Sequence, residues 1–344
     1  MLSPLAITFQ RLHGLGCPSN FPKTLWSRGC PFFLNDPTTP ILSLLSLSLS
    51  LSLSHDLYLH GSLVHTLCLV ISSTLSNSES QYISNALQFN LVFLKKMETL
   101  TLAPFPNLPI FFTQFLIIYL IAHFIVFKKW PPKFRPEAAS CLISLAHGTP
   151  AAFLASRAIL SHPNPSFSSI NTDSQNTVLD YSIAYFLMDL VHYLVFYPSD
   201  MLFIGHHLAT LFVFATCRYV VHHGAFAILV LLVLAEVTSL CQNTWTLARA
   251  RRDDSEFAAR VCEFLSPPFY AFYSVVRGLA GPVFMYKMIV FYLSGAGDDV
   301  IPRWIWVSWV VVVVMAISVS ILWISNLWIE LYRERSGKFE KKTR

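Results

Sequence analysis

The stretch from Asp189 to Asn243 reads DLVHYLVFYPSDMLFIGHHLATLFVFATCRYVVHHGAFAILVLLVLAEVTSLCQN. It is apolar almost throughout, yet it carries Asp189, His192, the adjacent pair His206-His207, and Glu236. A charged group inside a membrane-spanning helix costs at least about 2.5–3.5 kcal/mol on insertion scales, so such groups face a bundle interior or a cavity. The rest of the chain is read as helices arranged around these groups.

The composition agrees. Of 344 residues, 54% are hydrophobic and only 12% charged, with a mean hydropathy of +0.53. A soluble domain carries about 25% charged residues. Half that density, with apolar runs repeated along the chain, indicates a polytopic membrane protein. The formal charge of +5 therefore bears on topology first. No basic, aromatic-interleaved patch suits nucleic acid. The seven cysteines are scattered, form no CxxC and suggest no disulfide framework.

Residues 1–96 differ in character: Leu and Ser alternate from Leu47 to Ser54, and Pro and Ser are dense. No positive region followed by an apolar stretch and a cleavage site marks a signal peptide. The alternation fits an amphipathic strand, but a translated CT dinucleotide repeat also reads Leu-Ser-Leu-Ser. Met97 opens Met97-Glu98-Thr99 just before the first strong apolar run. The expectation is a non-native or disordered leader over 1–96, a transmembrane domain over 97–335 and a basic tail over 336–344.

A helix needs about 20 predominantly apolar residues to cross a bilayer. Seven segments qualify, at roughly 109–127, 138–160, 179–197, 203–221, 225–247, 269–292 and 304–330. Lys128, Lys129, Lys133 and Arg135 follow the first; Arg249, Arg251, Arg252 and Arg260 follow the fifth; Arg333, Arg335, Lys338, Lys341, Lys342 and Arg344 follow the seventh. Loops 161–178 and 294–302 carry no Lys or Arg, and Arg303 stands at the edge of a span. The positive-inside rule then predicts an all-α, polytopic transmembrane helix bundle of about seven spans, with the N-terminus luminal and the C-terminus cytosolic. Loop 161–178, rich in Ser, Asn and Pro, is expected to be flexible. Its Asn164-Pro165-Ser166 is not a glycosylation sequon because of the proline.

Within the spans the polar residues are ordered. Ser144, Gly148, Ala152 and Ser156 repeat every four residues, a spacing that lets helices approach closely. Tyr181, Tyr185, Asp189 and His192 share one helical face, and Asp189 and His192 are close enough in sequence to pair. His206 and His207 point about 100° apart, so one can face a cavity while the other braces it; Thr210 lies one turn on. Glu236, Ser239, Asn243 and Thr246 share a face, as do Tyr270, Ser274, Arg277 and Gly281. Arg277 calls for a partner, with Glu236 and Asp189 as the candidates. Each cluster also reads as a structural pair that fixes helix register. His222-His223 lies about 24 Å along the helix from His206-His207, too far to share a metal within it. The chain has no HxxxH, which argues against a di-iron hydroxylase, and no metal or cofactor is expected.

Taken in order, Asp189, Gly205-His206-His207-Leu208-Ala209-Thr210, Glu236-Val237-Thr238-Ser239 with Asn243 and Trp245, and Arg277-Gly278-Leu279-Ala280-Gly281-Pro282 resemble a TLC (TRAM, Lag and CLN) domain over roughly 105–335. The resemblance implies a helix bundle in endoplasmic-reticulum or related membranes with a lipid-accessible cavity. One branch, ceramide synthase, transfers an acyl group from acyl-CoA to a sphingoid amine and carries a His pair followed by His-Asp and a further acid. Here Ala235 stands in place of that later His and Ser239 in place of the further acid. The pattern is more similar to the branch linked to membrane lipid composition and trafficking.

Three functions follow as expectations: lipid homeostasis by binding or sensing lipid, acyl-CoA-dependent acyl transfer, and a cargo or translocation role in which the polar groups are structural. For acyl transfer, His206 or His207 would act as base or acyl carrier, oriented by Asp189 or Glu236. His192, Thr210, Glu236, Ser239, Asn243 and Arg277 would line the cavity. The expected partners are membrane lipid and, for acyl transfer, acyl-CoA, with a homo-oligomer compatible and nucleic acid excluded. The terminal Lys341-Lys342-Thr343-Arg344 matches a dilysine retrieval signal on a cytosolic tail, although a basic tail beside anionic lipid reads the same way. Replacing Lys341 and Lys342 by Ser should move a tagged full-length protein out of the endoplasmic reticulum in fluorescence images; an unchanged pattern discards the signal.

Overall fold

A computed structural model describes residues 107–162 and 165–343. The leader read for 1–96, Asn164 of the blocked sequon and the side chains of Lys341 and Lys342 lie outside the described residues. The described residues are helical, without a named strand, and seven helices are long and apolar enough to cross a membrane: Leu108–Val126, Arg135–Leu160, Asp173–Phe196, Met201–Val221, Ala225–Ala250, Glu256–Leu293 and Arg303–Arg333.

Most boundaries fall where the apolar runs predicted, and the departures have local causes. The third span starts early because Thr172 and Gln175 form a capping box: Gln175 N donates to Thr172 Oγ1 at 3.3 Å, and Thr172 N to Gln175 Oε1 at 3.0 Å. The sixth starts at Glu256, capped by Ser255, whose Oγ accepts from Ala258 N at 3.4 Å. Pro267 and Pro268 sit inside that helix and remove two backbone donors. Beside them Ser266 Oγ donates to the Cys262 carbonyl at 2.6 Å and accepts from Trp245 Nε1 at 2.8 Å. The seventh is preceded by Asp298, whose carboxyl the Arg303 guanidinium and the Trp306 indole hold below the usual carboxylate range. Its helix continues as backbone to Thr343.

The segment 165–172 is not the flexible loop its composition suggested. Asn171 ties it to the turn between the fourth and fifth spans, where Nδ2 donates to the Cys217 carbonyl and Oδ1 accepts from Ala225 N, both at 2.9 Å. Asn171 N donates to the His222 carbonyl and Gly224 N to the Ser169 carbonyl, and Phe167 packs its ring on Phe226, Phe284 and Phe291. Gly224, at φ +86°, is required there: a Cβ would also stand 3.0 Å from the Trp309 ring.

The second span packs on the third, the third on the fourth, the fourth on the seventh, the seventh on the sixth, the sixth on the fifth, and the fifth back on the second. Six spans thus close a ring, with the first packed against the second and third. The second and third are the most enclosed, with 83% and 78% of their apolar windows buried against 17% and 22% for the sixth and seventh. Apolar side chains such as Leu279, Val283, Val311 and Met315 therefore remain on the outer surface, as a lipid-facing wall requires. Gly148 lets the second and fifth spans meet, since a Cβ there would lie 2.5 Å from Glu236 Oε2 and 2.6 Å from Ser239 Cβ.

Gly148→Ala should lower stability by about 1–3 kcal/mol through overpacking. Gly205→Ala, which meets nothing within 4 Å, should leave stability unchanged or raise it by about 0.5–1 kcal/mol; thermal unfolding in detergent distinguishes the two.

Candidate functional site

Three polar clusters built around buried acids stand out among the described residues. The first centres on Asp189, which is 2% exposed. Ser140 Oγ donates to its Oδ1 at 2.7 Å, and His207 Nε2 lies 2.9 Å from its Oδ2. His207 Nδ1 lies 2.8 Å from the Phe203 carbonyl. A carbonyl only accepts, so Nδ1 carries a proton and the Nε2–Oδ2 contact holds one more, shared by acid and imidazole. Both ring nitrogens of His207 are thus occupied, which suits a brace joining the second, third and fourth spans. The Asp189–His192 pairing allowed by sequence does not form: His192 Nδ1 is 2.9 Å from Tyr119 OH, a contact from the third span to the first.

The second cluster joins the second and fifth spans. Ser239 Oγ donates to Glu236 Oε2 at 2.5 Å, and His147 Nδ1 is 3.8 Å from Glu236 Oε1. His147 stacks on Tyr185 at 4.1 Å, its Nε2 3.1 Å from Ser182 Oγ. Asn243 Nδ2 donates to Ser144 Oγ and to the Ser239 carbonyl, both at 3.0 Å. The fifth span is broken here, one helix ending at Glu236 and the next starting at Ser239. Arg277 reaches this break from the sixth span: it donates to the Ala235 carbonyl and lies over the Tyr273 ring at 5.1 Å. Arg277 thus bonds the backbone carbonyl next to Glu236, one of the two acids expected from the sequence to partner it. Arg277 sits in a π-helical segment, Ser274–Ala280, a distortion that often marks functional sites.

The third cluster was not read from the sequence. Asp180, fully buried, accepts from Arg218 Nε at 3.0 Å and from Tyr219 OH at 2.5 Å. The cost of intramembrane charge, which calls for a partner to Arg277, calls equally for a partner to Arg218 and points to this cluster. Among the described residues, no three His, Cys, Asp or Glu side chains group as metal ligands would.

A cavity of about 130 Å³ lies between the fourth, fifth, sixth and seventh spans, with Phe186 of the third on its wall. Of the expected site residues, His206, Thr210, Glu236 and Arg277 line it. Asp189 and His207 are tied into the bracing pair, His192 turns to the first span, and Ser239 and Asn243 turn to the second; none of the five belongs to the wall. The two adjacent histidines thus divide their roles. His206 Nε2 is buried without a hydrogen-bond partner among the described residues, and its ring lies edge-on to Phe186 at 6.5 Å. The lining grades along the bundle axis. His206, Thr210, Glu236, Arg277 and Ser320 cluster toward the end carrying the basic loops. Phe214, Ile228, Leu231, Val312 and Val313 line the other end.

A ring of spanning helices around a mostly apolar cavity with a few convergent polar groups defines a polytopic membrane protein with a built-in ligand-sized pocket. The family model described as TLC domain matches residues 137–329. The chain is 63% identical over 244 residues to TLC domain-containing protein At5g14285 of Arabidopsis thaliana, covering 70% of this chain and 96% of that protein. No solved structure matches. The chain belongs to the TLC-domain family.

His207→Ala or Asp189→Ala leaves a buried polar group without its partner and should cost about 3–5 kcal/mol. His206→Ala removes no hydrogen bond and should cost about 1 kcal/mol. Unfolding of the detergent-solubilised variants measures the difference, and equal losses would contradict the division of roles.

Proposed function

We propose that this protein acts in membrane lipid homeostasis by binding or sensing lipid in the cavity between its fourth to seventh spans. The single observation behind this reading is the grading of the lining, from His206, Thr210, Glu236, Arg277 and Ser320 at one end to aliphatic and Phe side chains at the other. That gradient complements an amphiphile. The alternation of basic loops supports an N-terminus in the lumen and a C-terminus in the cytosol, and the Lys341-Lys342 tail supports residence in the endoplasmic reticulum.

Acyl transfer is the second reading, favoured by the cavity-facing His206 with its unpartnered Nε2. It would rest on one imidazole, because His207 is held by Asp189 and the Phe203 carbonyl. Ala235 and Ser239 supply neither the additional His nor the additional acid of the ceramide synthase pattern.

Lipid should co-purify with the full-length protein and be detected by mass spectrometry of an organic extract. Leu231→Trp, which fills the apolar end, should reduce it at least several-fold while the protein stays folded. Equal lipid in both sinks the cavity-binding reading. Acyl-CoA-dependent product that vanishes in His206→Ala would favour the transferase reading instead.

A further inference from the structure

Resting on the lipid-binding reading, we infer that the cavity admits from the bilayer a single-chain lipid with a small, uncharged, hydroxyl-type head, and that it excludes lipids with bulky or charged heads. The enclosure carries this. One helical turn beyond the polar lining residues, toward the basic loops, three of the four spans carry a buried aromatic ring: Phe203 beyond His206, Tyr273 beyond Arg277 and Trp323 beyond Ser320. Tyr193 stacks on Phe203 at 4.9 Å with an interplanar angle of 3°, and Tyr273 meets Trp323 edge-on at 4.5 Å. Together with Trp245 and Phe269 they form one packed cluster. Its buried rings lie between the polar end and the aqueous face, and a phosphocholine or a coenzyme A moiety entering there would have to part them.

The other end is closed as well. Trp309 lies one turn beyond Val312 and is fully buried. Its Nε1 donates to Thr216 Oγ1 at 2.8 Å, and its ring abuts Gly224 of the turn held down by Asn171. The cavity is nonetheless partly open. With both ends shut, the opening lies between helices, facing lipid.

Size and charge define the occupant. A cavity of about 130 Å³ is near the roughly 150 Å³ that accommodates benzene in an engineered protein core. It takes the head and first carbons of one chain, and the remainder lies along the gap between helices. The polar end already holds one acid and one base, Glu236 and Arg277. With that acid and base formally cancelling, a further net charge brought to this depth unbalances the site and bears the desolvation cost. A hydroxyl can donate to or accept from His206 Nε2 whichever nitrogen carries the imidazole proton.

The test is specific binding of tritiated 1-hexadecanol to the purified full-length protein in dodecyl maltoside. Competitors are unlabelled 1-hexadecanol, hexadecanoate, hexadecylammonium and 16-carbon lysophosphatidylcholine. Hexadecanol should compete at concentrations at least ten-fold below the other three. Ala316→Trp, on the cavity wall, should reduce specific binding at least ten-fold with the melting curve retained. Hexadecanoate, hexadecylammonium or the lysolipid competing as well as the alcohol overturns the inference but leaves lipid binding standing, as does alcohol binding that Ala316→Trp leaves intact. No binding of any of the four, with no lipid co-purifying, overturns both. The competition series on the unmodified protein decides the head-group question even if the Trp variant fails to fold.

Discussion

The structure depends on a buried acid–imidazole contact. Asp189 and His207 share a proton deep in an apolar bundle, with Ser140 and the Phe203 carbonyl filling the remaining hydrogen-bonding positions that face them. An unpaired carboxylate at that depth would be too costly to retain. Once paired, it fixes the second, third and fourth spans against each other with a directionality that apolar packing lacks. Asp180 with Arg218 and Tyr219 does the same farther along the third and fourth spans. These two clusters tie the spans of one wall of the ring together.

The opposite wall is built differently. The fifth span breaks between Glu236 and Ser239, and the sixth widens into a π-helical segment around Arg277. Broken backbone in a bilayer is tolerated where protein or a cavity surrounds it. Here Arg277 donates to the Ala235 carbonyl at the break, and the cavity lies alongside. Buried aromatic rings stand at one end and Trp309 donates to Thr216 at the other, so the few polar groups on the wall are set among apolar side chains.

Much of the architecture was legible in the sequence. The apolar runs predicted seven helices because a bilayer imposes length and composition on each span independently of its neighbours. The start of the third span was also readable, from Thr172 and Gln175, but the apolar run alone set its predicted limit too late. The segment around Asn171 reads as flexible by composition because Ser, Asn and Pro are common in loops of every kind. One Asn side chain with partners at Cys217 and Ala225 makes the difference, and those partners are remote in sequence.

What the sequence by itself determined is that the chain is a polytopic helical membrane protein with costly polar residues in its third to sixth spans. Composition and period decide this, since both act locally. Only the tertiary structure decided which polar residue does what. Helical periodicity places Asp189 and His192 within reach of each other, yet Asp189 meets His207 and His192 meets Tyr119. It separates His206 from His207 by about 100° without saying which faces inward. That choice, like the direction Arg277 takes, depends on which helices become neighbours when the ring closes, a long-range outcome that no single span encodes.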